Sequence, residues 1–245
     1  MGFTTDEAVS ILDQALFNRN FDGLFIAQDL DTAKDIFSNK IDYAWSNFPP
    51  QLKALYKVNN ESARQLKFDF GDGTISSITV DSSGRAGTYN RLHITEFAKV
   101  CRDYPDKAKE IFTGSIPAIP TDGRVDIEST AMGSDGLFYD LFWEAWERCE
   151  PKVPTEFKAH FYNWGWDIEV ETFPVISDLP FEMREYQKLH SLTDREISYY
   201  YSRWIALNRN WREMKREYPT TPYEAFEGSG ANIFDSGAIE RFVLT

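Results

Sequence analysis

The chain has 245 residues, 39 of them acidic and 26 basic, for a formal net charge of -13. With 42% apolar and 16% aromatic residues it is not a disordered acidic tail, because such tails lack the aromatic and β-branched side chains that build a core. The charge excludes a wholly basic nucleic-acid-binding domain, though not a basic patch on one face. No apolar run approaches the ~20 residues that span a membrane. The start, Met1 to Asp6, has no basic n-region of a signal peptide. Cys101 and Cys149 form neither a disulfide framework nor a metal-ligand spacing, which fits a soluble protein of a reducing, intracellular compartment.

In chain order, residues 5 to 17 carry a helical stripe of Val9, Leu12, Leu16 and Phe17. Leu24 to Ala27 suits a buried strand. A second helix starts at Asp29 or Asp31 and places Ala33, Ile36, Phe37, Ile41, Ala44 and Trp45 on one side; Phe48-Pro49-Pro50 ends it. Leu66–Phe70 and Thr74–Val80 flank Gly71-Asp72-Gly73, a hairpin signal. Arg91–Phe97 reads as a strand, 103–112 as a helix, Arg124–Ala131 as a strand and Leu137–Trp146 as a helix. Phe157–Trp164 reads as a last strand. Residues 181–190 form an amphipathic helix, and one long helix runs from about Asp194 to Arg216 with Ile197, Tyr201, Trp204 and Ile205 buried. Alternating helices and buried strands predict an α/β fold: a mainly parallel sheet flanked by helices, with a helical C-terminal region.

Several segments can carry chemistry. Leu92-His93-Ile94-Thr95-Glu96 is an apolar strand running into a polar residue and a carboxylate, and ligands of open α/β sheets sit at the carboxyl ends of strands. Glu96 there can polarise a water for attack on a phosphate; equally, it can cap the next helix. The position before it normally holds a magnesium-binding aspartate and here is Thr95, a neutral hydroxyl. Glu128-Ser129-Thr130-Ala131-Met132-Gly133 can pass close to a phosphate or sense its loss, or be a strand-to-helix turn that uses Gly133 for a positive φ. Gly2-Phe3-Thr4-Thr5 ahead of a helix matches the end of a phosphate loop or an ordinary N-cap. Arg85, among glycines, is a candidate phosphate contact or a solvated loop arginine. His93 alternates with Leu92 and Ile94, so it is expected packed and hydrogen-bonded on a sheet face; His93, His160 and His190 lack partners at metal-site spacing.

Taken together, the motifs resemble the ATPase domain of the large subunit of the terminase of tailed bacteriophages. The resemblance covers nearly the whole chain and rests on Gly84 to Ala98, on Glu128 to Tyr139 and above all on Glu217-Tyr218-Pro219-Thr220-Thr221-Pro222-Tyr223-Glu224-Ala225-Phe226. It implies a P-loop NTPase-like sheet that binds ATP and Mg²⁺. Gly2, Thr4, Thr5 and Thr95 would line the nucleotide, with Thr4 meeting magnesium; Glu96 would be the catalytic carboxylate. Arg85 would be a candidate arginine finger, and Ser129, Thr130, Ala131, Met132 and Gly133 the coupling motif. Phe3 and Thr95 depart from the usual lysine and aspartate. The front of the phosphate loop would precede Met1, so weak ATP hydrolysis is expected of this chain alone. Residues 1–232 would form the ATPase domain, with 178–232 a helical subdomain or linker region. Residues 233–245 would lead toward an absent nuclease domain. The intact family member moves double-stranded DNA into a procapsid in the host cytoplasm. Its partners are a portal protein and a terminase small subunit, and it works as a homo-oligomeric ring without a membrane. Two other readings stay open, a helicase-like DNA-dependent P-loop ATPase and a non-catalytic α/β remnant of a prophage gene.

Overall fold

The computed structural model describes residues 2–83 and 87–228. They divide into two compact units, one of residues 2–130 with 153–155 and one of residues 131–152 with 156–228.

The first unit is built on a six-stranded sheet. Its strands are β1 (Asp22–Ile26), β2 (Lys57–Ser62), β3 (Gln65–Asp69), β4 (Ile75–Asp81), β5 (Arg91–Ile94) and β6 (Arg124–Ile127), in the order β2-β3-β4-β1-β5-β6. The last four in that order run parallel, while β2 and β3 pair antiparallel at one edge. Central parallel strands are covered on both faces and so read as continuous apolar runs; β1 does, with Gly23 to Ile26 all buried. The expected hairpin connects β3 and β4, with Gly71 and Gly73 at φ 78° and 91° and Asp72 accepting from the Thr74 N–H.

Helix α1 (Phe3–Phe17) lies on one face of this sheet. Its buried residues are Ala8, Ile11, Leu12, Ala15 and Leu16, while Val9 and Phe17 of the expected stripe point to solvent. A Cβ at Gly23 would stand 2.6 Å from Ile11 Cγ2, so the absent side chain is what lets α1 approach β1. Helix α2 (Leu30–Ile36) continues through a π-helical turn, Phe37–Asp42, into α3 (Tyr43–Ser46). It buries Ala33, Ile36, Phe37, Ile41 and Trp45 in the same core as Phe25, Leu66, Phe68, Ile78 and Val80. A short α4 (Pro50–Lys53) precedes β2, a strand with no clear apolar alternation in the sequence. After β5 come α5 (Phe97–Asp103) and α6 (Pro105–Glu110), the latter extended by a π-helical turn at Ile111–Ser115. The strand expected to reach Phe97 therefore stops at Ile94, because Glu96 turns into the left-handed region and opens α5.

The second unit is helical. It contains α7 (Leu137–Arg148), α8 (Ile168–Thr172), α9 (Phe181–Leu189), α10 (Asp194–Ala206), α11 (Trp211–Glu217) and α12 (Pro222–Gly228). Its core gathers Trp164, Leu179, Met183, Tyr186, Ile197, Tyr199, Tyr200, Trp204 and Met214. Two expectations fail here. Phe157–Trp164 is not a strand: 157–163 has no regular structure and Trp164–Trp166 is a 3₁₀ turn. The aromatic side chains serve this core instead of a ladder; the Trp164 indole donates to Thr220 Oγ1 at 3.0 Å. The long helix is two helices. Asn208 and Arg209 adopt φ 53° and 59°, and Asn210 caps α11 by accepting from the Arg212 and Glu213 N–H groups. On α10 Ile197 and Trp204 are buried as expected, Ile205 is exposed, and Ser198, Tyr199 and Tyr200 take its place.

Candidate active site

The register brings the carboxyl ends of the parallel strands flush. Ile26 pairs with both Asp81 and Ile94, and Ile94 pairs with Ile127. The residues that follow, Ala27-Gln28, Thr95-Glu96 and Glu128-Ser129-Thr130, therefore form one row along the edge where ligands of open α/β sheets bind.

Glu96 has φ 52° and ψ 43°. A non-glycine residue pays a steric penalty in that region, since its Cβ crowds the backbone, and such outliers concentrate at functional sites. Although it stands at the N-cap of α5, its side chain makes no capping bond. The first turn is capped from the neighbouring strand end: Ser129 Oγ accepts from the Ala98 N–H at 3.0 Å, and the Glu128 carbonyl accepts from the Phe97 N–H at 3.2 Å. That leaves the Glu96 carboxylate free to turn to Thr130, whose hydroxyl donates to it at 3.1 Å, on the exposed side of the edge.

A polar seam runs beneath this edge, on the face covered by α1. Arg91, His93 and Thr95 alternate on β5 and its continuation, Asp126 and Glu128 alternate on β6 and its continuation, and the register sets the two rows side by side. Thr4, Glu7 and Ser10, three residues apart, meet them from α1. The Arg91 guanidinium, 2% exposed, donates to Glu7 and to Ser10 Oγ and lies 3.5 Å from Asp126. Higher up, the Thr4 hydroxyl donates to Glu128 Oε1. His93 Nε2 is 3.2 Å from the same oxygen, while its Nδ1 is buried with no hydrogen-bond partner among the described residues. A buried lone pair is less costly unpartnered than a buried N–H, so the Nε2–H tautomer, donating to Glu128, is the one assigned. Burial pushes the Glu128 carboxyl up, but the hydrogen bonds from His93 and Thr4 outweigh it and hold its pKa below the ordinary carboxylate value.

Of the residues singled out from sequence, Thr4, Thr95, Glu96, Ser129 and Thr130 meet at this edge. Gly2 is the N-cap of α1, and its carbonyl accepts from the Thr5 and Asp6 N–H groups. Thr5 is turned aside, its hydroxyl accepting from Lys40 Nζ at 2.6 Å. Ala131, Met132 and Gly133 belong to the helical unit, with Gly133 at φ 77°. Arg85 lies outside the described residues. Two groups were given no individual role from sequence. One is Glu128, the first residue of the 128–133 segment, whose further signal was the alternation Asp126, Glu128 opposite His93, Thr95. The other is Lys107, which donates to the Ala27 and Gln28 carbonyls at 3.3 and 2.7 Å and whose pKa is lowered by burial against the pull of Asp29 and Asp81. Among the described residues no three His, Cys, Asp or Glu side chains form a metal-holding group. No helix among them is long and apolar enough to cross a membrane.

No protein-family model and no curated protein matches the chain. Among solved structures it is similar to the large terminase ATPase domain of Thermus phage P74-26, with 16% identity over 89% of this chain and 83% of that one and a TM-score of 0.49. It is also similar to the large terminase of bacteriophage HK97, with 17% identity over 75% of this chain and 35% of that one and a TM-score of 0.49. A third is the large terminase of the thermophilic bacteriophage D6E in complex with ATP-gamma-S, with 9% identity over 75% of this chain and 39% of that one and a TM-score of 0.46.

Proposed function

We propose that the chain is a terminase-type ATPase domain that binds ATP with Mg²⁺ at the carboxyl edge of its sheet and serves the packaging of double-stranded DNA. The observation that carries the reading is Glu96. It is a carboxylate at the end of a central parallel strand, held in a left-handed conformation, spared from capping its helix and hydrogen-bonded to Thr130 of the next strand end. Such a carboxylate suits a general base that orients a water toward a phosphate. In this reading Thr130, the second hydroxyl of the expected coupling motif, responds when that carboxylate changes partners; its hydrogen bond to Glu96 supports the role. The order of motifs along the chain supports the same reading, and the segment 217–226 favours packaging over a helicase-like motor.

The donor set fits magnesium in kind. A threonine hydroxyl and a carboxylate are hard oxygen donors, and Mg²⁺ on a nucleotide needs only one or two protein ligands because phosphates and waters supply the rest. In this reading Thr4 would hold the cation, which would supply neutralisation of developing phosphate charge, and the positive N-terminal end of the 15-residue α1 would favour the phosphates. Glu96 takes the proton of the attacking water, and Ser129 keeps α5 and hence Glu96 in place. Residues 1–232 act as the ATPase domain, Gly2, Thr5 and Thr95 border the nucleotide, and Arg85 is the candidate charge-neutralising arginine. Ala131, Met132 and Gly133 carry the response onward along the chain. The partners are double-stranded DNA, a portal protein, a small subunit and further copies of the chain in a ring.

The test is titration of the purified chain with Mg²⁺·ATP and measurement of phosphate release with and without linear DNA. The expected result is nucleotide binding with slow turnover that Glu96→Gln lowers by about 100-fold or to background, binding being retained. Failure of the wild type to bind Mg²⁺·ATP, or equal turnover in the variant, overturns the proposal.

A further inference from the structure

Glu96 is occupied with Thr130, and Thr95, next to it, is neutral, so β5 offers no second carboxylate for a cation. The edge nevertheless contains one. Glu128 follows β6 as Thr95 follows β5, and because Ile94 pairs with Ile127 the two residues are neighbours across the strands. A threonine that gives a lone pair to a metal must place its hydroxyl proton on another acceptor, and the Thr4 proton already points at Glu128 Oε1. Three further features suit a metal carboxylate. His93 Nε2, 3.2 Å away, fixes the orientation of the same oxygen, as outer hydrogen bonds fix metal ligands. Thr95, its neighbour across the strands, is uncharged and brings no competing cation. The carboxylate is 23% exposed, enough for a bound cation to reach it.

Resting on the ATPase reading above, we infer that Glu128, from the end of β6, supplies the cation-holding carboxylate that Thr95 cannot. The two acidic residues of the edge then divide the work, with Glu128 on the cation side beside Thr4 and Glu96 on the water side beside Thr130.

The experiment is a Mn²⁺ titration of the whole chain followed by electron paramagnetic resonance, with and without ATP, beside ATP binding measured in chelator. Glu128→Gln, isosteric and still able to accept from Thr4, is expected to weaken ATP-dependent Mn²⁺ binding by about 10–100-fold without weakening metal-free ATP binding, since it removes a negative charge from beside the phosphates. Adding Thr95→Asp to Glu128→Gln is expected to restore most of that loss. Should Glu128→Gln not fold, Glu128→Asp takes its place; it keeps the charge but withdraws it by one methylene, and a Mn²⁺ affinity several-fold below wild type is expected. Variants that bind Mn²⁺ as the wild type does, whatever their melting temperature, overturn the inference alone and leave the ATPase reading standing. A wild type with no ATP-dependent Mn²⁺ binding overturns both.

Discussion

Replacing Arg91 by Met keeps the length of the side chain and removes the buried cation at the base of the polar seam. In the native chain the guanidinium is 2% exposed and serves Glu7, Ser10 and Asp126, so the variant strands two carboxylates against α1, β5 and β6. Removing one partner of a buried ion pair costs about 3–5 kcal/mol. Two facts place this case at the low end. The Glu7 and Asp126 side chains keep 14% and 23% of their exposure. Arg124, 61% exposed, still donates to Asp126 at 2.9 Å and stands 3.6 Å from Glu7. A loss of about 3 kcal/mol corresponds to roughly 6–12 °C in melting temperature for a chain of this size. Calorimetry reads the shift, and peptide-resolved hydrogen exchange locates it: peptides from α1, β5 and β6 lose protection while those from α9 and α10 keep theirs. Neutralising the stranded acids as well, in Arg91→Met with Glu7→Gln and Asp126→Asn, recovers most of the loss. A melting temperature for Arg91→Met within about 2 °C of wild type, or no recovery in the triple variant, refutes the reasoning.

Two other substitutions probe the scaffold. Asp29 caps α2 by accepting from the Thr32 N–H at 2.8 Å, the bond that chiefly holds its pKa below 3.8; Asp29→Ala should cost about 1 kcal/mol in a denaturant melt at neutral pH. Because a lowered native pKa stabilises above the unfolded value and stops doing so as pH falls through the native one, the gap between wild type and variant should begin to narrow only as pH falls below 3.8 and through the lower native value. A gap that does not narrow in acid contradicts the charged cap. In the helical unit, Glu224 is 1% exposed and accepts from the Tyr186 hydroxyl and the Thr220 N–H, both at 2.8 Å, with Lys215 Nζ 3.6 Å away. Glu224→Gln should lower stability by about 1–3 kcal/mol and change the near-ultraviolet dichroism of the surrounding aromatic residues; an unchanged spectrum and melt would show that the carboxylate charge is dispensable.

The specific segment 217–226 has a physical role in this helical core. Thr220 Oγ1 accepts from the Trp164 indole and donates to the Tyr186 oxygen 2.8 Å away, and the Tyr186 proton goes on to Glu224, which closes the network. Tyr186 is pushed far above the ordinary tyrosine range by burial and by the Glu224 charge, so it remains a donor at any pH at which the fold survives. The pattern E-Y-P-T-T-P-x-E-A-F was visible in the chain, but its meaning as a hydrogen-bond hub was not, because its partners lie 34 to 56 residues away.

Local information determined a good deal by itself. Apolar periodicity and turn residues were enough for the alternating helices and strands, the Gly71-Gly73 hairpin, and Thr95-Glu96 and Ser129-Thr130 at strand ends. Periodicity also held the polar seam in view, as Arg91, His93, Thr95 on one strand, Asp126, Glu128 on another, and Thr4, Glu7, Ser10 on a helix. Only the tertiary structure decided that these three rows meet, because adjacency of β5 and β6 and the lie of α1 depend on long-range pairing that no local pattern encodes. It also turned Phe157–Trp164 from a strand into core packing, since a strand needs a partner ladder and this segment has none among the described residues. Glu96 shows the division most clearly. Its residue type and position were legible, but its left-handed backbone and its freedom from capping exist only because Ser129, on a different strand, satisfies the helix in its place.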